Sequence, residues 1–289
     1  MHDPGPERAR GPDAHPAVES GGARHAAAGF VGAGQVVATH GCSRHVYRWA
    51  SVTKLLTAYA ALVAVEEGIL DLDAPAGPSG STVRHLLAHA SGLPFEGWDI
   101  LGRPGERRVY SNTGFEVLGA LLADHAEMPF HLYVEEAVLR PLGMQTARID
   151  PGEPRGASAA GAHGSLTDLL AFARELLAPR LLAPETLAEA TSVVFPGLEG
   201  VLPGFGRQEP LDWGLGFELR DGKSPHWTGS GNSPATFGHF GGSGTFLWVD
   251  PVRGVALGCL TDRPFGRWAT AAWPALSDAV IAAKQSGAM

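Results

Sequence analysis

Residues 51–67 read SVTKLLTAYAALVAVEE, and no charged side chain occurs between Leu55 and Val65. A helix that is apolar on every side is buried on every side. This segment therefore has to run through the middle of a fold. Ser51 suits an N-cap or first-turn position, and Gly68 suits the position just past the end. Lys54 stands three residues after Ser51, so the two share a face of the first turn. An ammonium carried into an apolar interior is costly. It finds buried partners, sheds its proton, or snorkels outward from the first turn. Burial can lower a lysine pKa by up to ~3–5 units, and a neutral lysine beside a serine hydroxyl is a base beside a nucleophile. The helix N-terminus adds N–H groups and a positive end for a developing oxyanion. This S-x-x-K is the only one in the chain. On the motif alone, the catalytic and the snorkelling readings both stay open.

What surrounds that helix sets the fold class. From residue 26 to 49 short β-prone runs alternate with glycines: Phe30-Val31, then Gln35 to Thr39, then His45 to Trp49. Residues 69 to about 190 read as helices joined by Gly/Pro loops, at 82–89, 113–125, 130–139 and 165–177. A Gly- and Pro-rich stretch at 195–212 reads as a long loop. Strand patterns return at 215–220, 234–240, 245–250 and 254–261, and a last helix covers 267–284. Strands at both chain ends have to pair into one sheet. The expected architecture is an α/β (α+β) fold with a sheet lobe from about 26–50 and 213–289. An all-helical lobe from about 51–212 completes it, with a cleft between the lobes where ligands tend to bind. Residues 1–25, rich in Pro, Gly, His and charge, read as a flexible tail.

Two further motifs carry candidate chemistry. Tyr110-Ser111-Asn112 offers a phenol that can relay a proton and an amide that can orient a lysine or a carbonyl. Taken alone, the same residues read more simply as a helix cap before 113–122. The run from Gly238 to Thr245, GHFGGSGT, places glycines in a strand, where they mark close backbone approach. An open N–H at Gly242 is suited to an oxyanion, though the run also reads as a plain turn.

Taken together, the three motifs, in this order and at these spacings, resemble the serine β-lactamase and penicillin-binding-protein superfamily. The resemblance is nearest to its class C-like branch of esterases, D-aminopeptidases and acyl-transfer enzymes. It extends from the nucleophile segment at Trp49-Ala50-Ser51-Val52-Thr53-Lys54 through His85 to Pro94, Pro141-Leu142-Gly143-Met144, Trp213-Gly214-Leu215-Gly216 and Trp248-Val249-Asp250-Pro251, covering roughly 30–285. The resemblance implies a β-lactamase-like fold, an antiparallel sheet lobe flanked by terminal helices plus the helical lobe. It implies that Ser51 attacks a carbonyl and forms an acyl-enzyme, and that Lys54 and Tyr110 share the roles of base and acid. Asn112 would orient the substrate, the N–H groups of Ser51 and Gly242 would bind the oxyanion, His239 would line the cleft and Gly241 would give clearance. No metal or cofactor is implied. The substrate expected is a small ester or amide, with acyl transfer to an amine and a non-turnover acyl sensor as alternatives. Two departures bear on substrate. The third motif is His239-Phe240-Gly241 where classical lactamases carry Lys-Thr-Gly, and histidine is a weaker anion partner at neutral pH. No Glu-x-x-Leu-Asn segment of the class A type occurs.

Composition narrows the rest. Acidic residues outnumber basic ones 30 to 22 and no Lys/Arg-rich run occurs, which argues against nucleic-acid or anionic-membrane partners. Cys42 and Cys259 are too few for a disulfide framework and read as free thiols. No signal-peptide-like or membrane-spanning run is present, so a cytoplasmic location is the expectation. His85 and His89 stand four apart, but no third metal ligand or H-E-x-x-H accompanies them. The three lysines, Lys54, Lys223 and Lys284, stand against 19 arginines, so a lysine in an unusual place is informative.

Overall fold

A computed structural model of the chain describes residues 22–32 and 35–286. Its sheet is antiparallel and six-stranded, in the order β2-β1-β11-β10-β9-β8. The strands are β1 (Ala26–Gly32), β2 (Gln35–Gly41), β8 (Glu218–Leu219), β9 (Phe237–Gly241), β10 (Thr245–Asp250) and β11 (Val255–Thr261). Pairing of Ala26 with Thr261 through Gly32 with Val255 joins the two chain ends, as their strand patterns require.

Side chains alternate across a strand, and here the alternation divides two cores. Phe246, Trp248, Leu257 and Cys259 face one side, and Leu247, Val249, Ala256 and Leu260 the other. The first face is covered by helix α8 (Arg267–Gln285) through Trp273, Leu276 and Ile281. Leu169 and Leu170 of helix α6 (Leu166–Leu177) press on Gly258 and Gly29 of the second face. Of the two covering helices, α8 is terminal, as expected, and α6 comes from mid-chain.

Helix α1 (Thr53–Glu66) runs through the larger core with every residue from Thr53 to Ala64 buried. Around it lie α2 (Val83–Leu87), α3 (Asn112–His125), α4 (Phe130–Val134), which continues as a π-helical turn at Glu135–Leu139, α5 (Ala157–Ala160) and α7 (Pro184–Ala190). The middle of the chain is not all-helical. Strand β3 (Tyr47–Arg48) pairs with β5 (Ala162–Gly164), which pairs with β4 (Arg148–Ile149). Within 195–212, β6 (Gly200–Leu202) and β7 (Gly206–Gln208) form a hairpin. Strands β4 to β7 are two or three residues long, too short to leave a period-2 signature, and escaped the pattern; β3 lies within the run expected at 45–49 but joins this small sheet and not the six-stranded one. Of the expected tail, residues 1–21 lie outside the described residues. Arg24 and His25 donate their N–H groups to the Asp262 carboxylate at 2.9 and 3.1 Å, which fastens them to the end of β11. Among the described residues, no helix is long and apolar enough to cross a membrane.

One buried bond links α1 to α6. The Tyr59 hydroxyl donates to Glu175 Oε1 at 2.7 Å, and the same oxygen accepts from the N–H groups of Arg180 and Leu181 at 2.6 and 2.7 Å. Removing the phenol oxygen in Tyr59→Phe should destabilise the protein by about 1.5–3 kcal/mol, the range for a bond to a charged group. Guanidinium unfolding would measure it, with an unchanged midpoint contradicting the assignment.

Candidate active site

The backbone that delivers Ser51 is gripped from both sides. Trp49 donates its N–H to Ala162 O at 2.8 Å and its indole N–H to Gly164 O at 3.0 Å. From the sheet, Ser243 Oγ donates to Arg48 O and Thr245 Oγ1 to Trp49 O, both at 2.8 Å. Ala50 then takes a positive φ of 47°, which is uncommon for a residue with a Cβ. A 3-10 turn, Ala50–Val52, leads into α1, so Ser51 sits in that turn, just ahead of the α-helix, as a first-turn residue and not its cap.

Lys54 does not snorkel; it is fully buried. Its Nζ lies 2.7 Å from Asn112 Oδ1, 2.9 Å from Ala159 O and 3.4 Å from Ser51 Oγ. Burial lowers its pKa to about 7, against a smaller upward pull from Glu116. As an ammonium it donates to all three oxygens. As a neutral amine it has two N–H bonds to give to the two nearer oxygens, Asn112 Oδ1 and Ala159 O. Its lone pair is then left for the Ser51 hydroxyl.

Tyr110 faces the same point. Its ring centroid is 4.9 Å from Lys54 Nζ and is flanked by His89 at 4.6 Å, His239 at 5.6 Å and Phe95 at 5.9 Å. Burial pushes its phenol pKa well above the usual tyrosine value, and the Ser51 side chain draws it only partly back. The phenol therefore remains protonated at neutral pH. Ser111 caps α3 through Gly114 N at 2.8 Å, so the capping reading holds at Ser111, while its neighbours Tyr110 and Asn112 line the cleft.

Ser51, Tyr110, Asn112, His239 and Gly242 all line one cleft of about 140 Å³, with Phe95, Ala160, Trp213, Phe240 and Phe265 as its apolar walls. Lys54 lies behind Ser51. Gly241 stands apart from this set. A Cβ there would come within 2.4 Å of Trp49 O and 2.6 Å of Thr245 Oγ1, so its clearance serves the backbone that leads into Ser51 and not a substrate. A Cβ on Gly242 would meet nothing within 4 Å.

The His239 imidazole is held neutral. Nδ1 lies 2.6 Å from Phe240 O, an acceptor, so Nδ1 carries the hydrogen and Nε2 presents a lone pair. Burial, reinforced by the Lys54 charge, lowers its pKa to about 3. Nε2 is buried without a protein partner. Glu218, also in the cleft wall, is committed elsewhere. It accepts from Lys223 Nζ at 2.6 Å and Trp227 Nε1 at 2.8 Å and pairs with His226 Nε2 at 2.9 Å. Burial alone would raise its pKa, but His226 and Lys223 outweigh that and bring it to about 2.

Two participants escaped the sequence reading. The Ala159 carbonyl has no side-chain signature. Glu116, which accepts from Ser158 Oγ at 2.5 Å and Ala159 N at 3.0 Å and so holds that carbonyl in place, was legible only as the i+4 neighbour of Asn112. His85 and His89 join no metal cluster; no group of three or more potential ligands occurs among the described residues. His89 Nδ1 accepts from Ser111 N at 3.1 Å and His85 Nδ1 bonds Thr82 Oγ1 at 2.9 Å.

The glycine pair gives a direct check. Gly241→Ala should cost both stability and activity because backbone and a neighbouring hydroxyl oppose its Cβ. Gly242→Ala should leave stability within about 0.5 kcal/mol of wild type. Calorimetry on the two variants measures this, and equal tolerance of both would contradict the packing described.

The chain matches the family model for β-lactamase over residues 13–280. A crystal structure described as a β-lactamase from Mycobacterium bovis superposes with a TM-score of 0.89 at 54% sequence identity, covering 92% of this chain and 97% of that one. Penicillin-binding protein 4* of Bacillus subtilis is 28% identical over 137 residues, 36% of this chain and 30% of that protein. The octameric penicillin-binding protein homologue of Pyrococcus abyssi shares the fold, with a TM-score of 0.71 at 19% identity over 94% of this chain and 75% of that one. The chain spans less than half the length of the first curated relatives it matches, 30% and 46%.

Proposed function

We propose that this chain, which belongs to the β-lactamase family, cleaves a small neutral ester or amide through an acyl-enzyme on Ser51. The observation that carries this reading is the Lys54 amine. It is buried, has a pKa near 7, and is held between two fixed acceptors with the Ser51 hydroxyl as its third neighbour.

The roles follow from the proton affinities. Neutral Lys54 takes the Ser51 proton as Oγ attacks the carbonyl carbon. The N–H groups of Ser51 and Gly242 receive the oxyanion. Tyr110, kept protonated by burial, gives its proton to the leaving oxygen or nitrogen as that bond breaks, and the Lys54 ammonium beside its ring restores it. Water then enters and attacks the acyl carbon while giving a proton to the neutral amine, and the Lys54 ammonium so formed returns that proton to Ser51 Oγ as the acyl–oxygen bond breaks and the acid leaves. Asn112 turns its Oδ1 to Lys54, which leaves its NH₂ facing the cleft to orient the substrate carbonyl.

Neutral substrates are favoured by His239. A lone pair at Nε2 repels a carboxylate, where a lysine in the same motif attracts one. Catalytic efficiency on p-nitrophenyl butyrate should therefore exceed that on a carboxylate-bearing β-lactam such as nitrocefin by about 10- to 100-fold, the worth of one charge-assisted hydrogen bond. The reverse order would contradict this assignment of His239.

Turnover of p-nitrophenyl butyrate followed with intact-mass detection tests the reaction itself. Ser51→Ala should lose at least about 10⁴-fold in kcat/KM, and Lys54→Met about 10²–10⁴-fold. In wild type, kcat/KM should rise with pH through about 7 as the Lys54 amine loses its proton. A one-equivalent burst with a stable adduct on Ser51 would instead point to transfer to an amine, if an added amine discharges the adduct, or to a non-turnover acyl sensor, if none does. Turnover unaffected by Ser51→Ala would remove the reading.

A further inference from the structure

Large apolar side chains are exposed along one short loop. Within residues 95–101, Phe95 is 47% exposed, Trp98 72%, Ile100 58% and Leu101 46%. Apolar side chains concentrated in this way on a protein surface mark a binding site. The loop is not loosely hung. Pro94 O accepts from Ser111 Oγ at 2.6 Å, Phe95 O from Asn112 N at 3.0 Å and Gly97 O from Thr113 Oγ1 at 3.0 Å. Leu101 N donates to Gly92 O at 2.8 Å. Backbone bonds thus fasten the apolar loop to the start of α3, directly beside Tyr110 and Asn112.

The patch continues the cleft. Phe95 is both a cleft wall, with its ring stacked 5.9 Å from that of Tyr110, and the first member of the exposed run. A second wall of the cleft is formed by Leu202 and Pro203, and their neighbour Val201 at the β6–β7 hairpin is 60% exposed. Buried Arg108 ties the two walls together. Its N–H donates to Glu199 O at 2.8 Å, and its guanidinium donates to Ala88 O at 2.5 Å and Leu211 O at 2.9 Å.

We propose that this rim is a binding track for an extended aliphatic acyl chain, which leaves the Ser51 cleft past Phe95 and lies along Trp98, Ile100 and Leu101. The acidic residues Glu96 and Asp99 are interleaved with the apolar ones, and the chain as a whole carries a net charge of -8. Both disfavour an anionic lipid surface and leave the substrate's own uncharged chain as the occupant. The inference rests on the acyl-enzyme reading for its substrate and refines it from small esters to medium- and long-chain ones.

Two measurements on the full chain test it. The first is kcat/KM for p-nitrophenyl esters of two, four, eight and twelve carbons. The expected result is a rise of about tenfold from four to eight carbons, from methylenes removed from water. Trp98→Ser should cancel that rise and leave the acetate unchanged. A flat or falling series, or an equal loss at every length, overturns the track. The second needs no turnover: binding of methyl decanoate to Ser51→Ala, read by calorimetry. Saturable binding that weakens about tenfold in Ser51→Ala/Trp98→Ser supports the track even if no ester is cleaved, and absence of binding overturns it. Turnover of the acetate without any chain-length effect would keep the reaction and remove the track. Concentration-dependent dimerisation abolished by Trp98→Ser would assign the patch to a second copy of the chain and overturn the proposal as well.

Discussion

One desolvated amine organises this molecule. Lys54 sits in the first turn of a helix that is buried on all sides, and two uncharged oxygens, Asn112 Oδ1 and Ala159 O, hold it together with Ser51 Oγ. Had a carboxylate stood among them, the ammonium would have been stabilised and the lysine would be no more than structural. With neutral acceptors only, burial prevails and the pKa falls toward 7. Glu116 is the carboxylate that influences Lys54, and it is spent on Ser158 and on the N–H of Ala159. It shapes the acceptor set without neutralising the amine.

Much of the remaining architecture places that amine. Thr53 Oγ1 accepts from Ala162 N at 2.8 Å and Thr57 Oγ1 donates to Ser158 O at 2.6 Å, so α1 is bonded along the segment that supplies the Ala159 carbonyl. The sheet grips Arg48 and Trp49 from the other side through Ser243 and Thr245. The sheet itself closes because β1 and β11 pair across almost the whole length of the chain. The Ser51–Lys54 turn, the Tyr110 phenol and the open backbone edge at Gly242 thus come from three separate stretches of sequence and meet at one junction.

What the sequence disclosed tracks the length scale of each signal. The buried helix, the long strands β10 and β11 and the closing helix carry periodicities of many residues and are legible directly. So are Ser51, Lys54, Tyr110, Asn112 and His239, because each lies in a motif of distinctive residue types. The mid-chain strands β4 and β5 and the β6–β7 hairpin are two or three residues long, and their pairing is decided by docking, as is the placing of β3, expected as a strand, in the small sheet. The Ala159 carbonyl is backbone, with nothing in the residue type to announce it. Gly241 was legible as a close approach, yet the atom approached is Trp49 O, in a segment almost two hundred positions away. Likewise the neutral state of His239 comes from its short bond to Phe240 O and from burial beside Lys54, neither of which a motif records.

The scarcity of lysine makes the protonation of Lys54 directly measurable. With only Lys54, Lys223 and Lys284 in the chain, a protein labelled with ¹³C at the lysine ε-carbons gives three signals. Each reports the protonation of one amine as pH is varied. With Lys54 as the base, one signal titrates near pH 7 and is missing from Lys54→Met. If every lysine signal instead stays in its ammonium position up to about pH 9, as for amines in water, Lys54 is a buried cation and not a base, and Ser51 is activated by some other group.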